Sequence, residues 1–257
     1  MMIAVKDLCG SVLCIDAVEL LKSLPTGSVG AWVSDPPFFV STGRRGGGVG
    51  DDPWLPGIST VDAMVDWSVP LANEVHRVLR PGGAAVIMGG SQSISAWEVA
   101  ASRAGLRWMA ELTVLWNTGK PRSRNFGSLT TTIRWYSKAG ARYEFNSGIK
   151  RAIYSNVVVC DKMPLSDRQH QSQKPVELTN FLISLLTRDD DLVVDTFAGS
   201  GSTLVSAEML GRPWIGGDVD GAMCRVAERR TSRPEFEEAL LRPLHLWING
   251  KIHEIEG

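Results

Sequence analysis

Residues 192–220 read LVVDTFAGSGSTLVSAEMLGRPWIGGDVD, an apolar run, a turn with glycines at 199 and 201, a helical pattern and a second apolar run closing on acids. Few folds accommodate that order. A buried strand from Leu192 to Val194, a helix through Leu210 and a strand from Trp214 to Gly217 make a strand–turn–helix–strand unit, which predicts a doubly wound α/β domain with a mostly parallel sheet and helices on both faces. Gly199 and Gly201 would let backbone amides approach a ligand, although any tight strand-to-helix connection favours glycine. Asp218, 23 residues beyond Asp195, stands where an acid accepts hydrogen bonds from ribose hydroxyls. The segment therefore predicts a nucleoside site.

The glycine order is not GxGxxG, and the carboxylate of Asp195 at a strand end would repel a pyrophosphate. A cationic or zwitterionic nucleoside such as S-adenosylmethionine suits the site better, because its amino group and sulfonium would be attracted.

Short apolar runs alternate with helical patterns along most of the chain. Strands are expected at Val12–Ile15, Gly30–Ser34, Ala84–Met88 and Leu112–Trp116, and helices at Ala17–Leu24, Val61–Leu79, Ile94–Ala104, Val176–Thr187 and Gly221–Arg230. Pro70 predicts a kink or break in the helix around it, and Arg80-Pro81-Gly82-Gly83 predicts its end. Two segments lack this regularity. DPPFFVSTGRRGGGVGDDPWLPG, after Ser34, is a Gly- and Pro-rich loop, whose residues 39–60 are expected to be a mobile active-site loop. From 117 to 170 the periodicity fades, apart from strands expected at Thr131–Ser137 and Asn156–Cys160. The expectation is one domain over 1–257, with 117–170 as an inserted recognition region.

Charge sharpens that division. The whole chain of 257 residues carries a net charge of -1, yet Asn117–Arg151 holds eight basic residues and one acid, giving +7 and leaving -8 for the rest. A basic insertion in an acidic domain suits a nucleic-acid partner, or else a solvated face. With 44% hydrophobic residues, disorder and collagen are excluded, and four cysteines without CxxC spacing suggest neither a zinc site nor a disulfide framework. No apolar run approaches the roughly 18 residues of a membrane span, and MMIAVKDLCG lacks the order of a signal peptide, so a cytoplasmic location is expected.

The second chemical element is Asp35-Pro36-Pro37-Phe38, at the carboxyl end of the strand AWVS. An exocyclic amine on a nucleobase is a poor nucleophile, because its lone pair is delocalised into the ring. A carboxylate and a neighbouring carbonyl, both accepting its hydrogens, would pyramidalise the nitrogen and aim its lone pair. Pro36 and Pro37 stiffen the carbonyl direction, and Phe38 offers a flat face for an extruded base. Read alone, DPP is also a common turn. In a parallel sheet ligands bind beyond the carboxyl ends of strands, which is where Asp35 and Asp195 both fall.

With these motifs in this order, the sequence resembles the S-adenosylmethionine-dependent amino DNA methyltransferases of the permuted beta group, over nearly its whole length. The resemblance implies that Asp35, Pro36, Pro37 and Phe38 are catalytic. It implies that Asp16, in the family's opening segment, lies near the cofactor adenine and that Lys174 and Pro175 in HQSQKPVELTNFLI line the methionine pocket. Asp195, Phe197, Gly199, Ser200, Gly201, Ser202 and Thr203 would form the cofactor loop, and Asp218 would be the ribose acid. RVLRPGGAAVIM and TTIRWYSK also fit by position. The form DPPF resembles the adenine-N6 members, the cytosine-N4 members usually having serine at position 35. Two departures stand out: Thr131-Thr132 where relatives often have His-Glu, and His170-Gln171 where they often have His-Pro.

The expected partner is double-stranded DNA, contacted by Arg44, Arg45, Arg122, Arg124, Asn125, Arg134 and Lys138, residue types that read base edges or hold phosphates. Trp54, Trp116 and Trp135 are candidates for stacking, with core packing as the ordinary alternative. A homodimer would fit the family, no membrane partner or metal is expected, and a restriction partner is left open, the small recognition region suiting a solitary methyltransferase. The rival readings are a cytosine-N4 enzyme, a methyltransferase acting on RNA or a protein amine, and a catalytically silent DNA-binding module that keeps the cofactor as a structural ligand.

Overall fold

The computed structural model describes residues 5–37, 58, 60–89, 91–117, 129–146, 155–161, 168–169, 173–235, 241–248 and 251–254. Among these, ten strands form one sheet in the order β1-β8-β7-β2-β3-β5-β4-β6-β9-β10. The strands are β1 (Ser11–Cys14), β2 (Val29–Ser34), β3 (Leu79–Gly89), β4 (Arg107–Trp116), β5 (Thr130–Ser137), β6 (Val157–Cys160), β7 (Val193–Asp195), β8 (Trp214–Asp218), β9 (His245–Ile248) and β10 (Lys251–Glu254). The run from β1 through β8, β7 and β2 to β3 is wholly parallel, while β5 and β9 run against the rest.

The helices are α1 (Val5–Leu8), α2 (Ala17–Ser23), α3 (Val61–Val78), α4 (Ser91–Arg103), α5 (Val176–Leu186), α6 (Ser202–Met209) and α7 (Gly221–Thr231). Two apolar layers sandwich the sheet. Every residue of β2 is buried, and its side chains alternate between them: Ala31 and Val33 join the layer under α5, α6 and α7, while Val29 and Trp32 join the layer under α2, α3 and α4. This is the doubly wound arrangement the sequence implies.

Three details depart from expectation. Pro70 neither ends nor divides α3, which is one helix capped by Thr60, whose hydroxyl accepts from the Ala63 N–H at 3.1 Å. Asp66, whose carbonyl loses its partner, and Pro70 both stand on the exposed side of the helix, so the freed carbonyl is not buried in the core. The burial of Met64, Val65, Leu71, Ala72, Val75 and Val78 along one face holds the helix across it.

β3 begins at Leu79 instead of Ala84: Leu79 pairs with Val29, then Ala84 with Ala31, so Arg80–Gly83 bulge out between the two registers. The bulge turns Arg80 towards the loop before β7, where it grips Asp191 through two 2.6 Å hydrogen bonds. Gly30 lies under this pair, and a Cβ there would come within 2.3 Å of the Asp191 side chain.

The third departure concerns 117–170. β5 lies between β3 and β4, and β6 extends the sheet beyond β4. Both strands belong to the scaffold, because the buried Ile133, Tyr136 and Val158 complete its two apolar layers. Residues 118–128, 147–154, 162–167 and 170 of that segment lie outside the described residues, as do 38–57 and 59 of the loop expected over the base pocket.

Candidate active site

The sequence order of the strands reverses between β7 and β2, and at this switch point their carboxyl ends open into one cavity of about 500 Å3. Asp35, Pro36 and Pro37 line it from the end of β2, Asp195 from the end of β7, and Asp218 from the end of β8. Asp16, Lys174, Phe197, Gly199, Ser200, Ser202 and Thr203 line it as well. Two residues expected at the cofactor shape the wall without lining it. Pro175 caps α5, and Gly201 caps α6 with φ +83°, where an added Cβ would meet that of Ala227 at 2.8 Å. Phe38 lies outside the described residues.

Asp195 is 3% exposed, and Ser34 donates to its Oδ1 at 2.6 Å while the Phe197 N–H donates to the same oxygen at 3.0 Å. Burial nonetheless pushes its carboxyl up to about 6, over the opposing hydrogen bonds from Ser34, Phe197 and Thr203, and the negative Asp35 adds to the rise. The Ser34 hydroxyl also accepts the Thr196 N–H at 3.1 Å, so it fixes the turn as well as the acid.

Asp218 accepts the Gly199 N–H at 2.8 Å and the Asp220 N–H at 2.9 Å, which orients its carboxylate towards the glycine turn. Asp16 caps α2 through the Val18 and Glu19 N–H groups, at the same end of the sheet. Lys174 forms an ion pair with Asp35 Oδ2, and its backbone carbonyl accepts from Ser202 Oγ at 2.7 Å. The cavity thus holds carboxylates for cationic groups, acids for hydroxyls, and the amino end of α6, whose dipole favours an anion. That donor set and volume fit a zwitterionic nucleoside. Among the described residues, no group of three or more His, Cys, Asp or Glu side chains is gathered for a metal ion.

Several contributors escaped the sequence reading. Ser34 sits beside the DPP motif but looks like any strand residue. Trp67, on α3, lines the cavity and packs against Phe197 with ring centroids 6.1 Å apart. Arg230, a buried arginine on α7, donates to the Ser200 carbonyl at 2.7 Å and to Ser202 Oγ at 3.3 Å, bracing the glycine turn from behind.

Two expected DNA contacts are engaged elsewhere. Arg134 is ion-paired with Glu98 and with Glu111, the latter at 3.0 Å. Lys138 donates to the Leu79 carbonyl at 2.8 Å and the Arg77 carbonyl at 3.3 Å, at the amino-terminal edge of β3 and away from the cavity. Trp135 stacks on Phe145 at 5.7 Å, and Trp116 donates to Thr131 Oγ1 at 3.0 Å, so both pack within the protein. Where relatives often carry His-Glu, Thr131 therefore anchors a tryptophan. Arg44, Arg45, Trp54, Arg122, Arg124, Asn125, His170 and Gln171 lie outside the described residues.

An α/β fold with an acid-lined cavity of this size at its switch point defines a Rossmann-like nucleoside-binding scaffold. Residues 29–229 match the N6/N4 family model described as DNA methylase, and the chain belongs to that family of S-adenosylmethionine-dependent DNA methyltransferases. It is 26% identical over 238 residues to the type II methyltransferase M2.LlaDCHI of Lactococcus lactis subsp. cremoris, covering 85% of this chain and 87% of that one. It is 27% identical to M.HinfI of Haemophilus influenzae, covering 88% and 69%. Among solved structures, the M1.HpyAVI–SAM complex superposes with a TM-score of 0.67 at 21% identity, covering 86% of this chain and 98% of that one. The cytosine-N4-specific PvuII DNA methyltransferase superposes with a TM-score of 0.70 at 20% identity, covering 87% and 90%.

Proposed function

We propose that this DNA methyltransferase modifies the N6 amine of an adenine flipped out of double-stranded DNA at a specific sequence. The observation that carries the reading is the pair Asp35 and Asp195, on adjacent strand ends and lining one cavity. S-adenosylmethionine, when bound, supplies an electrophilic methyl group on a sulfonium. Asp195 would attract the cofactor's ammonium, Asp218 would accept from its ribose, and Asp16 would lie by its adenine. Asp35 and the Pro36 carbonyl would accept the hydrogens of the target amine, turning its lone pair towards the methyl group, with Phe38 as the stacking face. As the nitrogen bonded the methyl carbon and the methyl–sulfur bond broke, leaving the cofactor as a neutral thioether, the amine would become cationic and would shed a proton through Asp35 to water. Much of the rate would come from positioning two reactants in one cavity.

The fold is shared with a cytosine-N4 enzyme, so the choice of base rests on the acid at position 35. The loop at 39–60 with Arg44 and Arg45, and the basic stretch with Arg122, Arg124 and Asn125, remain the proposed DNA contacts. No helix among the described residues is long and apolar enough to cross a membrane; a cytoplasmic location, beside the DNA, and a homodimer remain expectations. The test is single-molecule sequencing with modification detection on DNA from cells expressing the protein, beside an Asp35→Ala control. Methylated adenines at one short motif, absent from the control, are expected; methylated cytosines would overturn the choice of base, and undiminished methylation by Asp35→Ala would overturn the role of that residue.

A further inference from the structure

Cys14 and Cys224 stand near opposite ends of the chain, and the fold brings them together. Cys14 ends β1, where it is the register partner of Asp218 at the end of β8. Cys224 lies near the start of α7, and its Sγ reaches the Asp218 carbonyl at 3.5 Å and the Leu13 carbonyl at 3.6 Å. Cys14 Sγ reaches the Val219 carbonyl at 3.6 Å, and the two thiols hydrogen-bond to each other. Both sulfurs therefore rest on the backbone of the turn 218–220, whose three residues also line the cavity.

The pair is asymmetric in a way that suits oxidation. Cys14 is exposed and Cys224 is buried, so an oxidant from solvent meets Cys14 first. Burial above all, with the neighbouring Cys14 and Asp218 adding to it, pushes the Cys224 thiol up to about 12 and keeps it protonated and inert towards solvent oxidants. Cys9 stands before β1, at the other end of that strand, and Cys160 is buried in the apolar layer under α5, which makes both of them internal controls.

We propose that Cys14 and Cys224 are a reversible disulfide site, oxidised by peroxides, whose closure distorts the 218–220 turn and weakens cofactor binding. The linkage stands on the geometry of the two thiols alone; its effect on the cofactor rests on the proposed role of Asp218 as the ribose acid. In the first step Cys14 Sγ attacks a peroxide oxygen: the S–O bond forms, the O–O bond breaks, and the departing hydroxide takes up the thiol proton as water. Cys14 is then a sulfenic acid. In the second step Cys224 Sγ attacks Cys14 Sγ: the S–S bond forms, the S–O bond breaks, and the hydroxide leaves as water with the Cys224 proton. Two thiols have lost two electrons, and one hydrogen peroxide has become two waters. A dithiol reductant returns the electrons and restores both thiols. Closing the bond draws the start of α7 onto β1 and strips the Asp218 and Val219 carbonyls of their S–H donors. Asp218 faces the cavity only while the Gly199 and Asp220 N–H groups hold its carboxylate, so a shift of this turn is felt at the cofactor.

The test treats the reduced full-length protein with hydrogen peroxide, alkylates it in denaturant and maps its peptides by fragmentation mass spectrometry. A bond joining Cys14 to Cys224, with Cys9 and Cys160 alkylated, is expected. The oxidised protein should bind S-adenosylhomocysteine, the cofactor without its methyl group, about tenfold more weakly by calorimetry, the worth of one displaced hydrogen bond to a charged group. It should also melt at a higher temperature, because the bond closes a loop spanning most of the chain. Dithiothreitol should reverse both changes, and Cys14→Ser and Cys224→Ser should show neither. Absence of that bond, or an equal loss of affinity in the two serine variants, would overturn the proposal. The control is Asp218→Ala: undiminished binding by this variant sinks the role of Asp218, whereas weakened binding by it beside an oxidised wild type of full affinity sinks the switch alone.

Discussion

Ser34 and Asp195 are separated by 161 positions in the chain and by 2.6 Å in the fold. The hydroxyl joins the ends of β2 and β7, and so joins the strand that presents Asp35 to the strand that presents the cofactor acid. Ser34→Ala removes one stabilising hydrogen bond from a buried carboxylate and leaves the Thr196 N–H without its acceptor. The Asp195 carboxyl should rise further, and affinity for S-adenosylhomocysteine at pH 7 should fall about tenfold, by titration calorimetry. Unchanged affinity would show that the hydroxyl does not tune the acid.

The raised carboxyl of Asp195 predicts a pH dependence. Its folded value of about 6 stands above its ordinary 3.8, so the folded protein holds this proton more tightly than the unfolded chain. The group penalises the fold increasingly as pH rises from 3.8 through 6, and fully above that. The ionised form is the one that attracts an ammonium, so S-adenosylhomocysteine should bind more tightly as pH rises from 5 to 7. Asp195→Asn should bind weakly, with the step near pH 6 gone.

Arg80 and Asp191 have the opposite linkage. Burial raises the Asp191 carboxyl, but the Arg80 guanidinium and the Arg188 N–H outweigh it and hold the acid below its ordinary value. The pair therefore stabilises the fold at neutral pH, and that contribution is lost as pH falls below 3.8 through the depressed folded value. Arg80→Ala leaves a buried carboxylate without its partner and should cost about 3 kcal/mol at pH 7 in urea unfolding. The difference from wild type should shrink as the pH is lowered below 4.

Arg230 never touches the cavity, yet it braces Ser200 and Ser202. Arg230→Met keeps the volume and removes the donors. The expected result is a lower melting temperature and about tenfold weaker S-adenosylhomocysteine binding. Normal binding in a destabilised protein would show that the turn holds its shape unaided.

Lys138 tests which basic residues contact DNA. Because it caps backbone carbonyls at the edge away from the cavity, Lys138→Ala should leave the salt dependence of DNA binding unchanged. Arg122→Ala or Arg124→Ala should each reduce the slope of log K against log salt by about 1 if the side chain holds a phosphate.

The parts of the fold legible in the sequence are those where local pattern and burial agree. β2 and β7 are short apolar runs ending in an acid, and α5 carries an unbroken apolar face, so their places follow from the residues alone. Pro70 predicts a kink from backbone chemistry alone, whereas the buried face of α3 decides the outcome. The edge hairpin β9–β10 is signalled in the sequence only by Asn249-Gly250, because its strands are four residues each, too short for a clear alternation. At the site, acids in sequence motifs were found, whereas Ser34, Trp67 and Arg230 act through contacts made only after distant segments meet. Charge counting cannot see partners: within the basic segment Arg134 pairs with two glutamates and Lys138 donates to two backbone carbonyls.

The sheet order also sets a timetable for synthesis. β2, apolar on both faces, emerges early, but one of its two neighbours, β7, lies about 160 residues later. At about 5–20 residues per second, the ribosome takes roughly ten to thirty seconds to supply it. Throughout that interval a strand that is wholly buried in the finished enzyme has at least one edge unpaired, so the nascent chain passes through a sticky half-sheet. Slowed translation between residues 90 and 190 should therefore favour aggregation, or dependence on chaperones that shield an open strand edge.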